Sequence, residues 1–196
     1  MGLSIHYSGS FNPAASLQEL IEEVRDIAQV YKWKFYIYET TFPEQNDSQQ
    51  YNDKVFGICF IPPECEPVSI EFLSNKKMST VINLKLFGNS ENQDYQKYLY
   101  QVSVKTQYAG PAVHMVIVKI FRYLSTKYFL NFQMFDEANY WETGDENVLK
   151  EMFARYNKLL DMFCDGLECF PAQKDESLES YFTRLIEYIN KKRQAE

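Results

Sequence analysis

A repeated alternation of apolar and polar residues between positions 55 and 105 limits the possible folds of this chain more than any other sequence feature. In one segment Val68, Ile70 and Phe72 alternate with Ser69 and Glu71. Similar alternation recurs at 82–86 and 100–105, and residues 55–60 are continuously apolar. A period of two is typical of β-strands with one buried face. Because the connections are short, we expect four successive strands in an antiparallel meander with one face exposed to water.

Helical periodicity flanks this region on both sides. Ser16 and Glu19 form a capping box, which predicts the start of a helix whose apolar face continues to Tyr31. Proline is favoured at the first position of a helix, so Pro111 predicts a helix over residues 112–128. Its apolar residues extend nearly all round, so we expect this helix to be largely buried.

The C-terminal region carries two further helix signals. Thr143 and Glu146 form a second capping box, and Asp175 is the predicted cap of a terminal helix. The remaining predicted strands are 3–7, 33–39 and 130–134.

Together these elements predict an α+β fold in the order β-α-β-β-β-β-β-α-β-α-α, with a mostly antiparallel sheet and helices packed on one face. The chain has 196 residues, and its sequence contains no internal repeat, low-complexity tract or long linker. We therefore expect residues 1–196 to form a single domain.

Composition and charge exclude several classes of protein. The formal net charge of -7 argues against nucleic-acid binding, although a basic middle segment, 76–134, lies between two acidic flanks. No apolar stretch approaches the length of a membrane span, and the N-terminal residues lead us to expect neither secretion nor lipid anchoring. The four cysteines lack zinc-site spacing, so we expect reduced thiols, no metal and a cytoplasmic location.

Sequence motifs of the common enzyme classes are absent. The chain contains no phosphate-binding loop, dinucleotide fingerprint, nucleophile elbow or zinc-protease motif. Its two histidines, His6 and His114, leave little material for histidine-based catalysis, and no cofactor is predicted.

A first candidate site lies where a predicted strand leads into the buried helix. Its residues are Lys105, Thr106, Gln107, Gly110 and His114. The N–H groups of a helix N-terminus, together with a nearby lysine, attract anions, which predicts an anion-binding or ligand-binding site. The structural alternative is a tight strand-to-helix turn with a histidine in the core.

A second candidate site is an acidic and aromatic loop after the last strand. It contains Asp136, Glu137, Tyr140, Trp141 and Glu142, which helix capping does not explain. Acids beside aromatic rings suit a general acid/base pair, a cation site or the centre of a protein interface.

These two segments carry a resemblance. Residues 104–114 and 136–145 resemble a bacterial protein family of about this length marked by V-K-T-Q-[YF]-A-G…H and D-E-x-x-Y-W-E-T-G-D. The function of that family is uncharacterised, so the resemblance emphasises the same residues without implying a mechanism.

Two functional hypotheses follow. The leading one is a cytoplasmic bacterial binding or interaction protein without catalytic activity, because enzyme motifs are absent and 15 tyrosines suit an interaction surface. An immunity-type or antitoxin-like role fits by analogy only. The alternative is an enzyme acting on a small anionic substrate through Lys105, His114 and an acid from residues 136–142. The expected partner is thus a protein or a small anionic ligand, with no nucleic acid and no membrane.

Overall fold

A computed structural model describes residues 2–43, 51–88, 93–171, 173 and 176–194. In chain order the elements are β1 (Ser4–Phe11), α1 (Leu17–Val30), β2 (Lys34–Ile37), β3 (Val55–Ile61), β4 (Val68–Leu73), α2 (Val81–Phe87), α3 (Gln93–Tyr98), β5 (Val102–Lys105), a short 3-10 helix (Gln107–Ala109), α4 (Gly110–Tyr128), β6 (Phe129–Asp136), α5 (Tyr140–Thr143), α6 (Glu146–Cys169) and α7 (Leu178–Gln194). The α+β class is confirmed.

The chain falls into two compact units, Met1–Leu149 and Lys150–Glu196. A compact unit does not have to fold alone, so the single domain over residues 1–196 stays a prediction. No helix in the described part of the chain is long and apolar enough to cross a membrane.

The described part of the first unit contains two antiparallel three-stranded sheets. In one sheet β1 lies between β5 and β6, so that Ile5 is opposite both Val104 and Asp136. In the other sheet β3 lies between β2 and β4. The segment that follows β4 links the two sheets. Lys77 forms a β-bridge with β1, and Met78 forms a β-bridge with β4.

Helix α4 packs its apolar side into the core of the first unit, as its sequence predicts. Ile117, Phe121 and Leu124 are fully buried, and the ring of Phe121 lies 4.5 Å from that of Tyr7 on β1. The N-cap of α1 is also confirmed, since the Ser16 hydroxyl accepts the Glu19 N–H at 3.3 Å.

The predicted strand at 82–86 is wrong, because these residues form helix α2. Thr80 caps the helix and accepts the Asn83 N–H at 3.0 Å. Ile82 and Leu86 are one helical turn apart and are both 67% exposed, while Leu84 is half-buried. Three alternating apolar residues are too short a signal to separate the two periods.

The predicted four-strand meander is therefore also wrong, because its third strand is helix α2. Helices α2 and α3 separate β4 from β5, and β5 pairs with β1 in the other sheet. The expected wet face is also wrong at β4, since Ser69 and Glu71 are buried beside the neighbouring apolar residues. The first turn of α2 lies against this face, where the Val81 N–H donates to the Glu71 carboxylate at 3.1 Å.

The second predicted capping box is also wrong. Thr143 is the last residue of α5, and the Asp145 carboxylate accepts the Asn147 N–H at 2.7 Å at the start of α6. Asp175 lies outside the described residues, and the Ser177 hydroxyl accepts the Ser180 N–H at 3.2 Å at the start of α7.

Within the second unit, α7 approaches α6 at a glycine. A Cβ atom at Gly166 would lie 3.1 Å from the Leu185 side chain, and Leu185 is fully buried. Arg184 and Glu176 form an ion pair of 2.7 Å near the start of α7.

Candidate functional site

The two candidate segments meet at a buried pair, His114 on the first turns of α4 and Asp136 at the end of β6. Nε2 of His114 lies 3.0 Å from Oδ1 and 3.1 Å from Oδ2 of Asp136. On the other side of the ring, Nδ1 lies 2.7 Å from the Thr106 hydroxyl. All three residues are 0% exposed. The structure therefore places one residue of the second candidate set in contact with the first.

The loop after β6 is folded around the Asp136 carboxylate. Its oxygens accept the backbone N–H groups of Ala138 at 2.8 Å, Tyr140 at 2.8 Å and Trp141 at 2.9 Å. Asn139 adopts a left-handed conformation (φ 58°) in this turn, which asparagine tolerates better than most residues. Asp136 thus satisfies backbone donors that would otherwise be buried without a partner.

These contacts determine the ionisation of Asp136. Burial raises the pKa of the carboxyl, but hydrogen bonds from His114 and from the N–H groups of Trp141 and Ala138 outweigh burial, so the pKa lies below its usual range. The carboxylate is therefore negative at neutral pH.

The order threonine, histidine, aspartate is similar to that of a nucleophilic triad, but no substrate can reach it in this conformation. None of the three side chains has exposed surface, and none lines any of three surface cavities of about 780, 640 and 660 Å³. The Thr106 hydroxyl also lies 3.3 Å from the carbonyl oxygen of Leu3, which precedes β1. The network therefore joins β1, β6 and α4.

The other residues of the first candidate set point to different places. Gln107 is buried, and its amide has no hydrogen-bond partner among the described residues. Gly110 adopts φ 81° at the entry to α4, a conformation that favours glycine. Lys105 is half-buried, with Nζ 5.3 Å from the centre of the Tyr108 ring. Of this set, Lys105 lines a cavity that does not include His114.

The second candidate set is divided between the interior and the surface. Tyr140 is buried with Asp136, whereas Glu137 and Trp141 are half-buried and Glu142 is exposed. One Glu137 oxygen accepts the Ser4 N–H at 2.8 Å and the other lies 3.4 Å from His6 Nε2.

An arginine holds the loop against α4. The Arg122 guanidinium donates to the carbonyl oxygens of Tyr140 at 2.9 Å and Trp141 at 2.7 Å, and it lies 5.6 Å from each ring centre.

One face of the β5-β1-β6 sheet remains exposed. We call it the sheet face and define it by His6, Ser103, Gln133 and Phe135. The Phe135 ring is 61% exposed and stacks on His6 at 6.0 Å. A cavity of about 660 Å³ is lined by His6, Gln133, Phe135 and Trp141, among others.

Glu71 is a titratable residue that the sequence pattern placed on the exposed side of β4. It is 3% exposed. Burial raises its pKa to about 7, even though hydrogen bonds from Ser69 and the Val81 N–H act in the opposite direction. The sequence feature that could have indicated the burial of Glu71 is Gly57, which lies opposite it on the neighbouring strand. A Cβ there would lie 2.3 Å from the Ile70 carbonyl oxygen, so glycine permits the close approach of β3 and β4.

Two other polar groups are buried near Glu71. The Tyr7 hydroxyl donates to the carbonyl of Ser69 at 2.7 Å, and burial, together with the Glu71 charge, raises the pKa of Tyr7 well above its usual value. Burial and the charge of Glu71 likewise raise the pKa of the Cys59 thiol, so the thiol is neutral at physiological pH and is a poor nucleophile.

The chain was compared with protein-family models, with curated proteins and with solved structures, and none of the three comparisons finds a match.

Proposed function

We propose that this chain is a non-catalytic binding protein that recognises a protein partner through the sheet face. The observation that carries the proposal is the complete burial of Thr106, His114 and Asp136. His114 and Asp136 are the acid-base residues that the enzyme alternative would use, and their hydrogen bonds instead serve to hold the fold. The sheet face is what the same region presents to solvent.

The chemistry of the sheet face suits a protein interface. Exposed aromatic rings surrounded by polar groups are typical of interface centres. Phe135 and His6 provide a stacked pair, Trp141 lies at the margin, and Gln133 supplies an amide that can donate and accept.

The outer edge of the sheet adds a second element. β6 has no further strand on its outer side among the described elements. Its unpaired backbone groups can pair with a strand of a partner, and alternate side chains of that strand would then contact the sheet face. A cytoplasmic role in a bacterium, of immunity or antitoxin type, belongs to the same proposal by analogy with size and acidity.

The enzyme alternative requires Lys105, His114 and an acid to act on one substrate. The position of Lys105 on a cavity that excludes His114 supports the binding proposal over this alternative. An acid-base mechanism needs its groups within hydrogen-bond reach of the reacting atoms.

The test is affinity capture from a lysate of the source organism, with wild-type protein and two matched variants. Phe135→Ala removes the central ring of the sheet face, and Tyr36→Ala removes a ring on β2 that is also 61% exposed. We expect a stoichiometric protein partner with wild type and Tyr36→Ala, and its loss with Phe135→Ala. Capture of no stoichiometric protein, or equal capture by all three, would contradict the proposal.

A further inference from the structure

A second cavity, of about 640 Å³, lies at the opposite end of β5 from the sheet-face cavity and has no part in the proposed function. Three separate segments form it: residues 32–34 from the end of α1 to the start of β2, residues 61–66 from the end of β3 towards β4, and Lys105 with Tyr108. We call it the lysine cavity. Chain segments distant in sequence therefore converge on one concavity of a size that holds a small molecule.

Three lysines and two glutamates line the lysine cavity, so its net charge is positive. Lys32, Lys34 and Lys105 line it, and none of them forms an ion pair with an acid in the described ranges. The cavity also contains Glu64 and Glu66. Glu66 is engaged by backbone, since it accepts the Lys105 N–H at 2.8 Å. Three unpaired ammonium groups around one cavity favour an anion.

Apolar and aromatic groups line the rest of the cavity. Tyr108 is 64% exposed, with the Lys105 ammonium 5.3 Å from its ring centre. Trp33, Pro62 and Pro63 also line it. A free anion such as phosphate uses only the lysines, whereas a ligand with a planar ring also covers the Tyr108 face. Cys65 contributes a neutral thiol, because burial and the charge of Glu66 raise its pKa to about 12.

The backbone conformation at Lys32 supplies an independent argument. Lys32 follows the end of α1 with φ 57°, and its N–H donates to the Gln29 carbonyl at 3.0 Å. A left-handed residue after a helix is most often glycine, since a side chain there costs about 1 kcal/mol. Glu64 on the facing segment has φ 54°. Two of the five non-glycine residues with positive φ in the described part of the chain therefore border this one cavity, and such conformations are enriched at functional sites.

From the charge, the exposed ring and the two left-handed residues, we infer that the lysine cavity binds a small anionic molecule that carries a planar ring. The lysines hold the anionic group, and the Tyr108 face holds the ring. Lys105 thus retains the anion-binding role expected of it, with Lys32 and Lys34 as its companions in place of the N-terminus of α4.

The experiment titrates the full-length protein with three probes: adenosine monophosphate, adenosine and inorganic phosphate. Binding is followed by NMR of the backbone amides. We expect saturable binding of adenosine monophosphate with shifts at residues 32–34, 61–66 and 105–108. Adenosine and phosphate should each bind at least about tenfold more weakly, which corresponds to the loss of one favourable interaction of about 1.4 kcal/mol.

A matched pair of variants separates ligand binding from folding. Lys32→Gly removes an ammonium of the cavity and relieves the left-handed backbone. Lys76→Gly relieves the same kind of backbone (φ 66°) at a lysine that does not line the cavity. Both variants should be at least as stable as wild type, so failure to fold is not expected. Lys32→Gly should weaken binding of adenosine monophosphate several-fold, and Lys76→Gly should leave it unchanged.

Three results would overturn the inference. They are the absence of saturable binding of adenosine monophosphate up to about 10 mM, equal affinities for adenosine monophosphate and phosphate, and equal effects of the two glycine variants. None of these results bears on partner capture by the sheet face, so the two proposals fail separately.

Discussion

Asp136 in the β5-β1-β6 sheet and Glu71 in the β2-β3-β4 sheet are both buried carboxyl groups, yet their pKa values move in opposite directions. Burial raises both pKa values. Asp136 accepts three backbone N–H groups and contacts His114, and these donors outweigh burial. The Glu71 carboxyl accepts hydrogen bonds from Ser69 and from one backbone N–H, that of Val81, and these donors do not outweigh burial. The number of donors facing a buried carboxyl, more than its depth, determines its charge.

The difference also separates two roles. Asp136 is a fixed negative charge around which a loop, a strand and a helix are held. Glu71 has a pKa of about 7, so it changes charge within the physiological range while remaining covered by α2. The first arrangement stabilises the fold at neutral pH, and the second makes stability depend on pH.

The largest effect is expected for Asp136→Asn. The substitution removes the charge that pairs with His114 and replaces an accepting oxygen with a donor that faces other N–H groups. A buried donor left without its acceptor costs about 1–3 kcal/mol. Since Asp136 accepts several such donors, the total loss should be about 3–5 kcal/mol, and urea unfolding at pH 7 measures it.

The control is Asp145→Asn at the exposed start of α6. Asparagine caps a helix about as well as aspartate, so the change should stay below about 0.5 kcal/mol. Similar losses for the two variants would mean that Asp136 has no special role.

The contribution of Asp136 to stability also depends on pH, and the sign of this dependence follows from its pKa shift. The Asp136 pKa is depressed on folding, so its contribution is full above the usual pKa of 3.8 and is lost as pH falls below it. The difference in the free energy of unfolding between wild type and Asp136→Asn should therefore decrease only at acidic pH.

Glu71→Gln tests the other half of the comparison. The folded pKa of about 7 exceeds the usual 4.5, so folded protein retains a proton that the unfolded chain releases. Wild-type stability therefore falls as pH rises from 4.5 to 7, by about 3 kcal/mol. Glutamine does not titrate, so the variant should gain about that much relative to wild type between pH 4 and pH 8.

Denaturant unfolding of both proteins across this pH range measures the gain. Glu142→Gln, at an exposed glutamate, serves as the control and should show no such gain. A constant difference between wild type and Glu71→Gln at all pH values would show that Glu71 does not titrate near 7 in the folded protein.

The smallest effect is expected for Thr80→Ala, which removes the N-cap of α2. Loss of a cap costs about 1 kcal/mol, and Ser16→Ala in α1 provides a matched cap for comparison. Because α2 covers Glu71, Thr80→Ala should also reduce the pH dependence of stability, whereas Ser16→Ala should not. If stability depends on pH in the same way in both variants, then α2 does not influence the titration of Glu71.

Local signals in the sequence predicted much of the fold. The cap at Ser16, the proline at the start of α4 and the apolar pattern of β3 and β4 each specify a structure through interactions within a few residues. Residues 82–86 show the limit. Their alternation fits a strand, but the Thr80 cap and the contact of the first turn of α2 with Glu71 favour a helix.

His114 and Asp136 were each singled out from the sequence, His114 by its place near a predicted helix start and Asp136 by its place in an acidic, aromatic loop. Their contact depends on the pairing of β1 with β6 and on the packing of α4, which join residues far apart in the chain. The burial of Glu71 and the convergence of Lys32, Lys34 and Lys105 also required tertiary structure. Periodicity reports which side of an element is polar, but only the packing of other elements decides whether that side meets water, an ion or another buried group.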